Sequence, residues 1–375
     1  MIKGENNSVL QQQCIQTKNR LARPLSLVVM MAVLLCALFT VAALPVEPRE
    51  VLLKKPTGAS FAGVKNASVL DMGVVAPLND IVWLDKEHYA AVSQDEEDYI
   101  WIYYCSVKEK TAEERAILTL EPGERYLSAT ALDDGTMAVV TTGRVFYLDR
   151  HLMEKRSVIL PKKMFDEGMK EGVLSETGKS AAYVTEKGLY LYNIGTGETK
   201  LLLASNKYGS GSAPFMVSFQ TPSTLSFRYS SADSSMRLCK ASIDTGEVTY
   251  YENTGLYAGA YDGTVCYVRE DNASRLVVTD ERQGKELRFL FEDRVVSGLA
   301  LMKQSALVQT FEPQTGVTYF EVLDFKKEEA AVVCSIDPQD GTTGRVLRVS
   351  SSGMLAVEFY TGEQSNTQIL QLSLL

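Results

Sequence analysis

The sequence predicts an all-β domain of seven repeated four-stranded sheets, preceded by one membrane-spanning helix. Three observations predict it. Residues 25–44 form a run of twenty residues without a charge, mostly apolar. From residue 66 onward, short runs rich in Val, Leu, Tyr, Phe and Thr alternate with clusters of Gly, Asp, Asn and Ser, the pattern of strands and turns. Those runs group in fours, and the groups recur at about 45 residues, a period that marks a repeat architecture.

The apolar run comes first in the chain. At about 1.5 Å per residue, twenty helical residues span roughly the 30 Å core of a bilayer. Lys3, Lys18, Arg20 and Arg23 precede it against the single acid Glu5, a balance of +3, which leaves −12 of the total −9 for the residues after Arg23. Basic residues stay on the cytoplasmic side, so residues 1–23 are expected as a cytoplasmic tail, 24–46 as a signal-anchor and the rest as extracytoplasmic. A cleaved signal peptide is the rival, with Val41, Ala42 and Ala43 as a small-residue cleavage site, but both the charged leader and the apolar run are long for one. Cys36 follows Leu35 rather than a small residue, which argues against lipidation there. Residues 47–65 carry Pro48, Pro56, Gly58 and Gly63 and read as a linker.

The repeat begins beyond the linker. One unit runs from Tyr126 through the turn Asp133-Asp134-Gly135 to Thr142, then through Arg144–Asp149 to Leu160. The next repeats that order from Gly172 to Leu203, and the turn Thr196-Gly197-Glu198 recurs as Thr245-Gly246-Glu247. First strands are expected near 80, 126, 171, 216, 258, 296 and 345. The last unit supplies only three strands, 345–351, 354–360 and 366–374, and residues 66–72 are expected to complete it. Four-stranded sheets at this spacing are the mark of a β-propeller, and a sheet shared by both chain ends closes such a ring and removes its open edge. Six or eight blades also fit if the unit boundaries move by several residues.

The unit Ala182-Tyr183-Val184-Thr185-Glu186, Leu189-Tyr190-Leu191-Tyr192-Asn193 and Thr196-Gly197-Glu198 resembles blades of the broad WD40-like, YVTN-like and quinoprotein-like propeller superfamily. The resemblance covers residues 66–375, and with the anchor the whole is similar to bacterial membrane-tethered propeller proteins. It implies the fold and no particular activity. The Gly-His and Trp-Asp marks of typical WD40 repeats, the double glycine of Kelch repeats and the Asp-box of sialidases are missing, and Trp83 and Trp101 are the only tryptophans.

Composition bounds the function. The chain has 375 residues, 45% of them hydrophobic and 23% charged, which excludes disorder as the main state. A single long apolar run excludes a multi-span protein. An isoelectric point near 5.1 argues against nucleic acid as a partner, because phosphate binding needs a basic face. His88 and His151 are the only histidines, each beside a turn and neither with a second His or Cys at ligand spacing, so no metal site is expected. Gly209-Ser210-Gly211-Ser212 falls short of a nucleophile elbow, and Asp95-Glu96-Glu97-Asp98 reads as a solvated hairpin tip. Cys105, Cys239, Cys266 and Cys334 lie in strands of different units and read as buried free thiols. Asn66-Ala67-Ser68 and Asn272-Ala273-Ser274 match the glycosylation sequon, which matters only in a eukaryote.

No catalytic residue and no cofactor is therefore expected. The longest connections between units, 161–170 and 205–214, bring basic and aromatic groups to an acidic domain: Lys162, Lys163, Phe165, Lys207 and Tyr208 are the expected binding surface. The expected role is a membrane-anchored, extracytoplasmic binding or scaffolding module. It is held in the membrane by residues 25–44, and its partner is a protein, peptide or glycan. An exported hydrolase or lyase of cell-surface polysaccharide, working through acidic residues, is one alternative. A sensor or assembly factor acting through the cytoplasmic tail is the other.

Overall fold

The computed structural model describes residues 48–54, 64–68 and 78–372, apart from 97, 110, 208, 232–234, 262, 303, 337–341, 350–353 and 362–363; for 64–68, 333, 334 and everything beyond 335 it describes the backbone alone. The expected tail (1–23), anchor (24–46) and much of the linker lie outside these residues. Among those described, no helix is long and apolar enough to cross a membrane. The chain divides into two units at Pro48, and the second, Arg49–Leu375, holds every described strand.

Among its described residues that unit is all-β apart from one short helix. The strands form seven sheets, each built on an antiparallel meander of consecutive strands, with one earlier strand added at the edge of each of two. Sheet I holds β3 (Asp80–Trp83), β4 (His88–Gln94), β5 (Tyr99–Ser106) and β6 (Thr111–Thr119). Sheet II holds β7 (Tyr126–Ala131), β8 (Met137–Thr141), β9 (Arg144–Leu148) and β10 (Glu154–Ile159). Sheet III holds β11 (Glu171–Leu174), β12 (Ser180–Thr185), β13 (Gly188–Asn193) and β14 (Thr199–Ala204). Sheet IV holds β15 (Ala213–Thr221), β16 (Thr224–Ser230), β17 (Met236–Ser242) and β18 (Val248–Tyr251). Sheet V holds β19 (Thr254–Tyr261), β20 (Thr264–Arg269), β21 (Asn272–Asp280) and β22 (Lys285–Phe291). Sheet VI holds β23 (Val295–Leu301), β24 (Ser305–Phe311), β25 (Thr318–Asp324) and β26 (Glu329–Ile336). Sheet VII holds β27 (Thr342–Val349), β28 (Met354–Thr361) and β29 (Gln364–Leu372), with β2 (Val64–Ser68) antiparallel to β29 as its fourth strand.

Burial on both faces explains the apolar runs. All five residues of β8, Met-Ala-Val-Val-Thr, are buried. Successive side chains point to opposite faces, so Met137 and Val139 pack against Val92, Ile100 and Ile102 of sheet I. Ala138 and Val140 pack against Ala181 and Tyr183 of sheet III. The core is thus a series of apolar layers between neighbouring sheets, in which a buried Val or Leu contributes about 1.5–3 kcal/mol. Each first strand lies beside the first strand of the next sheet, and β27 lies beside β3. The fourth strands β6 and β10 are mostly exposed, as in the Glu-Lys-Arg-Ser-Val-Ile of β10.

The repeated Thr-Gly-Glu turn has a plain cause. Gly197 and Gly246 have φ of 75° and 74°, a region that glycine enters without a Cβ clash. The Asn193 side-chain oxygen accepts from the Gly195 and Thr196 amides and fixes the first of the two turns.

Several stretches differ from the sequence reading, and the closing strand β2 begins at Val64, inside the expected linker. Within the expected linker, Arg49–Leu53 forms β1, which adds in parallel to the edge of β22 as a fifth strand of sheet V. Leu53 is buried there and Val51 half-buried, the period-two pattern of a strand, and no Pro or Gly falls between Pro48 and Pro56. The expected loop 161–170 contains a one-turn helix, α1 (Lys162–Asp166), which starts at Pro161 and buries Met164.

Candidate binding cleft

A buried charge meets exposed apolar groups in a cleft. It lies between sheets IV and V. Alternation along β16 sends Leu225, Phe227 and Tyr229 into the apolar layer shared with sheet III. Ser226 and Arg228 therefore face sheet V. The apolar layer on that side is thin, with Leu238, Ala260 and Val265 as its buried members.

Backbone irregularities open the space. In β15, two residues between Phe215 and Ser218 oppose one on β16. In β19, three residues between Thr254 and Ala258 oppose one on β20. Such bulges re-aim side chains: Met216 is 55% and Leu256 40% exposed. Met216 also has φ of 50°, unusual for a side chain of its size. The base of the β19 bulge is held by Thr254, whose hydroxyl accepts from the Leu238 amide at 2.7 Å.

Arg228 clamps the bulge. It is 6% exposed. Its Nη1 donates to the Gly255 carbonyl at 2.8 Å, and Nη2 donates to the Ala258 carbonyl. No carboxylate is paired with it among the described residues, and burial brings the guanidinium down to about 10. Beside it, the Gln220 amide donates to the Ser218 and Ser226 hydroxyls at 2.9 and 2.6 Å. The cleft, about 210 Å³, is thus lined by one cation, two hydroxyls and the apolar groups of Met216, Leu256, Tyr257 and Leu299.

The other deeply buried cation contrasts with Arg228. Arg294, at the start of sheet VI, pairs with Glu321. The half-buried Arg144 pairs with the buried Glu124 at 2.7 Å. Burial pushes the Glu124 carboxyl up, but the Arg144 guanidinium and hydrogen bonds from Glu121 and Thr141 outweigh it and hold the group below its ordinary value.

The residues expected as a binding surface lie elsewhere. Lys162, Lys163 and Phe165 are exposed on α1, Lys207 is exposed in the turn after β14, and Tyr208 falls outside the described residues. Both connections are tied to the β12–β13 turn, where the Glu186 amide donates to Glu167 O and the Ser205 amide to Lys187 O. Lys187 pairs with Glu167 at 2.8 Å. None of the four described ones lines the cleft.

The remaining motifs have structural partners. The His88 ring contacts Asp85 at 2.9 Å and stacks on Tyr104. Ser212 is buried between the Gly209 carbonyl and the Tyr229 hydroxyl, with no base bonded to it among the described residues. Asp95 accepts from Trp101 Nε1 at 2.7 Å. No group of three or more His, Cys, Asp or Glu is placed to hold a metal ion among the described residues. Cys105, Cys239 and Cys266 are buried free thiols. Arg228 escaped the sequence reading, and its one local signal is a lone charge within the apolar strand Thr224–Ser230.

No protein-family model matches the chain, and no curated protein matches it in sequence. Solved structures do. A chain of the mitotic checkpoint complex matches with a TM-score of 0.54 and 10% identity over 85% of this chain and 97% of that one. The WD40 domain of Neurospora crassa Pan2 matches with 0.51 and 12% over 79% and 89%. A prolyl endopeptidase matches with 0.51 and 11% over 76% of this chain but 47% of its own length. At such identities the likeness is one of fold alone: with its repeated four-stranded sheets, this chain has a β-propeller fold.

Proposed function

We propose that the protein is a membrane-anchored, seven-bladed propeller that binds or scaffolds a protein partner outside the cytoplasm. The observation that carries the binding role is the cleft between sheets IV and V, where a buried, acid-free Arg228 meets the exposed Met216 and Leu256. The blade count is supported by the seven sheets, the place of β27 beside β3 and the pairing of β2 with β29. The anchor and its orientation rest on the uncharged run at 25–44 and the basic residues before it. Lys162, Lys163, Phe165, Lys207 and Tyr208 form a second contact surface in this reading. The fold itself carries no function.

The test is crosslinking in cells with the full chain, against variants that shorten 161–170 and 205–214. A specific partner is expected, and its yield falls when the loops are shortened. No partner for the full chain would reject the scaffold role, and an unchanged yield would remove the loops from it.

A further inference from the structure

We propose that the cleft between sheets IV and V takes the carboxyl terminus of a peptide, its carboxylate on Arg228 and its last apolar side chain between Met216 and Leu256. The proposal rests on the binding-module reading and names the ligand chemistry of that site.

The charge pattern comes first. The domain carries an excess of acids, yet none is paired with Arg228 among the described residues. A guanidinium taken out of water is stabilised by an anion or by well-placed acceptors. Here two backbone carbonyls fix its plane. A guanidinium has five N–H donors in a rigid fork that suits a carboxylate bidentately. The cation is thus oriented but not neutralised. Tyr257 is a titratable group beside it.

The arrangement then narrows the ligand. Phe215 opposes Arg228 across the β15–β16 ladder, and Met216 follows Phe215. An apolar cap therefore stands next to the cation. A ligand that satisfies both has a carboxylate and an apolar group on neighbouring atoms. The last residue of a peptide carries both on one Cα. The Ser218 and Ser226 hydroxyls, with Gln220, offer hydrogen bonds to its amide. A free phosphate would leave Met216 and Leu256 unused. A fatty acid would leave the hydroxyls unused.

The test titrates the full chain in nanodiscs with N-acetyl-leucyl-leucine, its carboxamide, decanoate and inorganic phosphate. The acid is expected to bind at least tenfold more tightly than the carboxamide, and more tightly than either decanoate or phosphate. Two variants separate the parts. Arg228→Gln loses the preference for the acid. Because it also unclamps the bulge, Leu256→Glu is read beside it. That exposed position tolerates the change, so Leu256→Glu keeps its unfolding midpoint while losing acid binding at least tenfold. Equal affinity for acid and amide, no binding of the acid, equal binding of decanoate or phosphate, or full binding by Leu256→Glu each overturns the proposal. A loop-dependent partner in the crosslinking experiment would still stand if the acid failed here, so the two failures are distinguishable.

Discussion

Arg294 and Glu321 are buried against each other, with side-chain exposures of 0% and 3%, and Arg294 also donates to the Leu53 and Lys54 carbonyls at 3.1 and 2.9 Å, some 240 residues earlier. Thr310 completes the set, its hydroxyl 2.6 Å from the same Glu321 oxygen. One ion pair thus fixes sheet VI internally and holds the end of β1 on sheet V. Salt bridges from Glu50 to Arg275 and from Arg49 to Glu328 support the same strand from the surface.

Glu321→Gln leaves the Arg294 charge buried and should cost about 3–5 kcal/mol, the usual effect of removing one partner of a buried pair. The change should also free the end of β1. Chemical denaturation measures the first effect, and faster proteolysis after Lys54 or Lys55 the second. The double change Arg294→Met with Glu321→Leu removes both charges and should recover most of the stability without restoring the grip on β1. Unchanged proteolysis in Glu321→Gln would show that β1 is held by its ladder to β22 alone.

Glu124 and Arg144 should govern part of the acid limb of stability. The Glu124 carboxyl is held below its ordinary value of 4.5 in the folded chain. Its contribution is therefore present above about pH 4.5 and is lost as pH falls through the lower folded value. Glu124→Gln should destabilise the chain by about 1–3 kcal/mol at pH 7 and by less at acid pH. Parallel unfolding midpoints for both chains from pH 7 to pH 3 would count against this role.

Cys105, Cys239 and Cys266 should resist thiol reagents in the folded chain. Burial pushes the Cys105 and Cys239 thiols up to about 12, and it raises that of Cys266 as well. The thiolate is the reactive form, so none of the three is populated for reaction near pH 8. Maleimide labelling followed by peptide mapping should find them unmodified in buffer and modified in denaturant. Labelling of any of the three in buffer would place it at the surface.

The first strands were legible wherever the alternation ran unbroken: β3, β7 and β11 begin at Asp80, Tyr126 and Glu171, where the pattern put them. The later ones begin earlier than read. β15 starts at Ala213 and β19 at Thr254, against readings of 216 and 258. The bulges explain the drift: in β19 regular pairing resumes at Ala258, and in β15 the extra residue falls between Phe215 and Ser218. An extra residue breaks a period of two, so the pattern is seen only beyond it. The same bulges hid the cleft. In the sequence Arg228 is one charge within a strand, and its meaning comes from β19, which closes over it from the next sheet. By contrast, the long loops at 161–170 and 205–214 were visible because loops announce themselves in composition. The helix inside the first was not, since five residues are too few to show a period.

Met216 joins strain to binding, and the two can be separated. A non-glycine residue at φ of 50° is held against a backbone preference of about 1–2 kcal/mol. Its side chain is 55% exposed, so removing it forfeits little burial. Met216→Gly relieves the strain, while the added freedom of the unfolded chain costs about 0.5–1 kcal/mol. The two effects nearly cancel, and the unfolding free energy should stay within about 1 kcal/mol of the natural chain. The same change at Phe227, a buried strand residue on the other face of β16, should cost about 3–5 kcal/mol. A near-neutral Met216→Gly that binds N-acetyl-leucyl-leucine several-fold more weakly would mean that the strained residue is kept for the cleft rather than for the fold. A loss of stability comparable to that at Phe227 would instead make Met216 a packing residue, and the bulge a feature of the core.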